Sequence, residues 1–198
     1  EKLPDHILNN SKIEHRIKAI FSTTPQNIMI NELVLKNKVL ELKVTSKDNE
    51  NLDLLKQSLN NIYQIVETKK LDEKQDNNFE AIVVAKDELE LKDVVYGIFT
   101  KDYLQDELFD KESINEQLKI LLPEHSIIKY IETYNANKVE IFSFSVNTII
   151  KEPKDLFNIF TNINSELYSI TISKPILMKN TNLGIEVDFI IEFNQLKN

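Results

Sequence analysis

The chain has 198 residues, 41% of them hydrophobic, and carries a net charge of −8 from 24 basic and 32 acidic side chains. That is too apolar for a disordered chain and long enough for one domain or two small ones, while the acidic balance excludes general nucleic-acid binding, which needs clustered cations on phosphates. Cysteine does not occur, which excludes disulfides and thiolate chemistry, and with only two glycines, Gly97 and Gly184, the chain has no Rossmann fingerprint or P-loop.

The first predicted element is an amphipathic helix with Ile13, Ile17, Ile20 and Phe21 on one face, followed by Pro25. Two strands are expected next, over 28–35 and 38–46, joined by a tight turn at Lys36-Asn37. Leu40, Leu42 and Val44 alternate there with Glu41, Lys43 and Thr45, the period of a half-buried strand. A helix capped by Asp48 or Asn49 places Leu52, Leu55, Leu59 and Ile62 on one stripe. Strands near 63–71 and 79–86 close this first half, around a polar loop at 72–78.

The segment 87–116 holds ten acidic residues and three lysines, nearly the whole net charge of the chain. It reads as a solvated acidic linker containing a short apolar piece, 94–99, that docks. A cation site from Asp106, Glu107, Asp110 and Glu112 is disfavoured, because the segment lacks the ligand spacing and turn glycine of a calcium loop.

The same order then repeats. A helix with Ile114, Leu118, Leu121 and Leu122 on one face precedes Pro123. Strands are expected over 127–134 and 139–146, then a helix with Pro153 in its first turn and a stripe of Leu156, Phe157, Ile159, Phe160 and Ile163. Strands near 167–177 and 183–194 end the chain. In the last, Ile185, Val187, Phe189, Ile191 and Phe193 alternate with Glu186, Asp188, Ile190, Glu192 and Asn194. Each half is αββαββ, which is a ferredoxin-like βαββαβ unit with its first strand moved to the end. The expected class is α+β: two tandem circularly permuted ferredoxin-like units with antiparallel sheets, spanning 1–86 and 112–198 and joined by a linker at 87–111.

Catalytic chemistry finds little support. His6, His15 and His125 have no metal-ligand spacing, and no serine sits in a glycine-flanked elbow. Glu186 and Asp188 read as solvated strand carboxylates, and Phe142, Phe144, Phe189 and Phe193 as core rather than a base-stacking platform. No catalytic, cofactor-binding or metal-binding residue is assigned, and no cofactor is expected.

This order of elements, without glycine motifs or catalytic groups, resembles the periplasmic domains of PilN and PilO, inner-membrane alignment proteins of type IV pili, and the related assembly proteins of type II secretion. The first half, with Pro25, Asn31-Glu32-Leu33-Val34-Leu35, Val39-Leu40-Glu41-Leu42-Lys43-Val44 and the leucine-rich helix through Leu52 and Ile62, looks PilN-like. The second, with Lys154-Asp155-Leu156-Phe157-Asn158-Ile159-Phe160, Tyr168-Ser169-Ile170-Thr171-Ile172 and the final strand, is similar to PilO. The family normally has one such domain per chain, so a fused pair departs from it. The resemblance implies a non-enzymatic scaffold, the periplasmic domain of a single-pass inner-membrane protein. Its partners would be other assembly-platform proteins, in a homo- or hetero-oligomer. Because the chain starts at Glu1 without a signal peptide, it is expected to be a piece whose membrane tether has been removed. The alternatives are a tandem small-molecule sensor of the ACT type and an enzyme using the sheet face as a cleft. The candidate interaction surface is Ile82, Val84 and Ile190, apolar where strand alternation calls for polar residues.

Overall fold

The computed structural model describes residues 5–73, 78–87, 109–136, 139–166 and 170–196. The elements follow the order α1 (Asp5–Thr23), β1 (Ile28–Leu35), β2 (Val39–Ser46), α2 (Asn49–Asn60), β3 (Ile65–Glu73) and β4 (Phe79–Lys86). Then come α3 (Lys111–Leu121), β5 (Ile127–Ala136), β6 (Val139–Ile150), α4 (Pro153–Glu166), β7 (Ile170–Thr181) and β8 (Gly184–Leu196). The α+β class and the doubled element order are as the hydrophobic patterning predicts.

Local chemistry sets the element ends. Asp48 caps α2, its carboxylate accepting the Asn51 amide at 2.7 Å, and Asp110 caps α3, accepting from Ser113 N–H at 2.8 Å. Hydrogen bonding from the Ser113 hydroxyl, and then from its amide, holds the Asp110 carboxyl below its ordinary pKa, because both bonds favour the charged form. Asp110 is therefore a helix cap, and Glu112 lies 3.7 Å from Lys111; Asp106, Glu107 and the 94–99 segment lie outside the described residues. Asp155 closes the start of α4, accepting the Lys151 and Glu152 amides at 3.1 Å.

Where two separate sheets were expected, the eight strands form one, in the order β3-β4-β2-β1-β7-β8-β6-β5. Every pairing is antiparallel. The halves join edge to edge through β1 and β7, where only Glu32–Leu35 pair with Ile176–Lys179. Four ladder pairs are a short seam, and α1 reinforces it. Its Ile13, Ile17 and Ile20 are fully buried, and the helix packs on β7 and α4 as well as on α2. Burying each isoleucine contributes about 1.5–3 kcal/mol. Phe21 meets Phe157 of α4 edge-on at 6.4 Å, and Thr161 of α4 donates to Glu14 at 3.4 Å.

The helices lie side by side on one face of the sheet, neighbouring each other as α2-α1-α4-α3. Alternate strand residues point into that layer: Leu40, Leu42 and Val44 from β2, Ala81 and Val83 from β4, Phe142, Phe144 and Val146 from β6, Val187, Phe189, Ile191 and Phe193 from β8. One continuous hydrophobic cluster runs through both halves. Inside it sits a buried ion pair, Arg16 of α1 with Asp87 at 3.6 Å, the guanidinium also lying 4.7 Å over the Tyr63 ring.

Candidate interaction surface

Two features of the sheet are open to a partner: its end strands, and the face turned away from the helices. The end strands are β3 and β5. β3 carries Glu67, Lys69 and Lys70, the charged dressing that discourages a strand edge from pairing with another chain. Lys70 folds back with its ammonium 4.2 Å over the Phe79 ring.

β5 is built differently. Its sequence, Ile-Ile-Lys-Tyr-Ile-Glu-Thr-Tyr-Asn-Ala, is rich in β-branched and aromatic residues, which makes it a strand. It pairs on one side only, with β6, and all ten residues except Ile128 are exposed. Ile127 is 54% exposed, Ile131 46% and Tyr130 43%. The register against β6 shifts between Tyr130 and Glu132, a bulge at Ile131. Across that bulge Lys129, opposite Ser145, and Glu132, opposite Ser143, stay on the helix-free face, while Tyr130 and Thr133 turn to the helix side opposite Phe144 and Phe142.

The two tyrosines are held in place. Tyr130 packs edge-on against Phe144 at 5.8 Å, lies under the Lys111 ammonium at 4.8 Å, and its hydroxyl is 2.8 Å from that of Thr133. Tyr134 donates to the Glu192 carboxylate at 2.9 Å. Burial first, then that bond and the charges of Glu192 and Glu132, push the Tyr134 phenol up to about 12. Rings fixed before binding lose little freedom on contact, which suits an aromatic anchor.

The described residues of the helix-free face form an open depression of about 540 Å³, lined by Ile127, Lys129, Asn147, Pro175, Leu177 and Ile190 among others. On its floor Asn147 donates to both Glu186 and Asp188 at 2.8 Å. A second open depression of about 480 Å³ lies at the seam, between Phe21, Pro25, Met29, Met178 and Pro153. There Asn180 reaches across to the Ile30 carbonyl at 2.9 Å.

The three residues singled out from alternation do share the helix-free face, but not one patch. Ile82 is exposed and Val84 half-buried on β4, whereas Ile190 is half-buried in the depression on β8. Three strands separate β4 from β8, about 19 Å at the usual strand spacing. Single exceptions to strand alternation do not mark the β5 edge. Its signal was the failure of alternation itself: Ile127, Ile128, Tyr130, Ile131 and Tyr134 put apolar groups on both faces of one strand.

Phe142, Phe144, Phe189 and Phe193 are buried in the core, and His15 and His125 are exposed. Asp188 lines the depression, and Asn147 bonds both to it and to Glu186. Among the described residues no group of three or more histidine, cysteine, aspartate or glutamate side chains is placed to hold a metal, and no helix is long and apolar enough to cross a membrane. No protein-family model, curated protein or solved structure matches the chain.

Proposed function

We propose that the chain is a non-enzymatic scaffold in the periplasm, part of the inner-membrane assembly platform of a type IV pilus, type II secretion, DNA-uptake or related envelope machine. It acts by protein–protein contact. A single membrane-spanning segment outside these 198 residues tethers it, and other platform proteins and further copies of the chain are its partners. The observation that carries the contact role is β5, a ten-residue end strand exposed along its length, with apolar and aromatic side chains where β3 has charges.

The proposal includes the finer architecture: two circularly permuted ferredoxin-like units, 1–86 PilN-like and 112–198 PilO-like, with 87–111 as the linker. In support, the strand order β3-β4-β2-β1 recurs as β7-β8-β6-β5. The bulge of β1 between Ile30 and Glu32 recurs in β5 between Tyr130 and Glu132.

The test is made in the native host. Tagged full-length protein is expected in the inner membrane, with the 1–198 region cut by protease added to spheroplasts, and deletion of the gene is expected to stop piliation, secretion or DNA uptake. A protein found in the cytosolic fraction, or a deletion that leaves all three processes intact, overturns the reading. A second reading, a small-molecule sensor, is favoured by the two depressions, whose volumes lie in the range of ligand pockets. Both are open to solvent, whereas such pockets normally enclose most of their ligand, which is why the sensor reading stands second.

A further inference from the structure

We propose that β5 joins two copies of this chain, antiparallel across a two-fold axis between Tyr130 and Ile131, so that Lys129 of each copy lies opposite Glu132 of the other. The occupant of the open edge is thus a second copy. The inference deepens the reading of β5 as the contact surface and rests on that assignment, not on the envelope machine.

The bulge sets which β5 residues share a face. In a regular strand, residues an odd number apart point to opposite faces. Lys129 and Glu132 are three apart, yet the shift at Ile131 returns both to the helix-free face. A two-fold pairing of β5 with itself can therefore set Lys129 against Glu132 on the same face, twice, and opposite charges directly across a ladder attract. The same register sets Ile127 against Tyr134, both on the helix-free face, and Ile128 against Thr133, both on the helix face. Two-fold contacts require such self-complementarity, and β5 meets it in charge at Lys129 and Glu132 and in face for each of these pairs. β3 exposes one large apolar side chain, Ile65, beside Glu67, Lys69 and Lys70, against the several exposed on β5.

Sedimentation velocity of the purified 198-residue chain over a concentration series reads the outcome. A reversible dimer is expected. Lys129→Glu alone and Glu132→Lys alone each place like charges opposite one another at two points, and each should weaken association at least tenfold. The double variant Lys129→Glu/Glu132→Lys restores opposite charges and should restore the dimer. Both positions are exposed in the monomer, so melting temperatures of dilute samples should agree, which separates loss of contact from loss of fold. A wild-type chain that stays monomeric at high micromolar concentration overturns the proposal. So does a dimer indifferent to the single variants, or a double variant that does not recover. The assay uses no membrane component, so its failure is distinct from failure of the host experiment.

Discussion

Arg16 is the only arginine in the chain, and its side chain is largely buried. Its partner Asp87 also accepts the Gln64 amide at 3.2 Å, so one carboxylate ties α1 to the turn before β3 and to the end of β4. Removing one partner of such a pair strands the other charge. Asp87→Ala should destabilise the fold by about 3 kcal/mol in urea unfolding; a loss near zero would show the pair to be solvated. Neither residue stood out in the sequence, where Asp87 opens an acidic run and reads as solvent-facing. Tyr134 gives a pH prediction. Its folded pKa, raised to about 12 chiefly by burial and then by the bond to Glu192, lies above the ordinary value of 10, so the stability the protonated phenol contributes is full below pH 10 and is lost as pH rises from there through 12. An ultraviolet titration should show one tyrosine ionising near 12, and Tyr134→Phe should delete that component while leaving the others in place.

The elements were legible from the chain because each carries a period. Leu52, Leu55 and Leu59 fix the buried side of α2, and the alternation through Ile185–Phe193 fixes β8. Their junctions were less legible. The β7–β8 turn depends on Gly184, whose φ of +134° is open to glycine, and a Cβ there would sit 2.6 Å from the Ile150 carbonyl oxygen. Gly184→Ala should cost about 2 kcal/mol or more, read from the urea midpoint. An unchanged midpoint would mean the turn relaxes. The seam was not legible at all. Glu32–Leu35 and Ile176–Lys179 look like any half-buried strand segments, and nothing local says that they pair across 140 residues. The β5 edge was legible as a strand but not as an edge, since strand order arises from the packing of both halves.

At the scale of the whole molecule, a four-pair seam and one continuous core make the two repeats a single structural unit. Ile17→Ala, in the middle of α1, should lower stability by about 2–5 kcal/mol. Both repeats should lose it together, in one unfolding transition seen equally by hydrogen exchange in β2 and in β6; two separated transitions would show that the halves fold independently. That shared frame leaves β5 as the long apolar end strand among the described residues, and the account makes it the place where the chain meets protein. Photocrosslinking in the native host from a benzophenone amino acid at position 131, with position 69 on β3 as the control, tests this directly. The account predicts a strong adduct from 131 that contains a second copy of this chain, joined within residues 128–133, and little from 69. No adduct from 131 in a folded, expressed protein, or equal adducts from both strands, would contradict it.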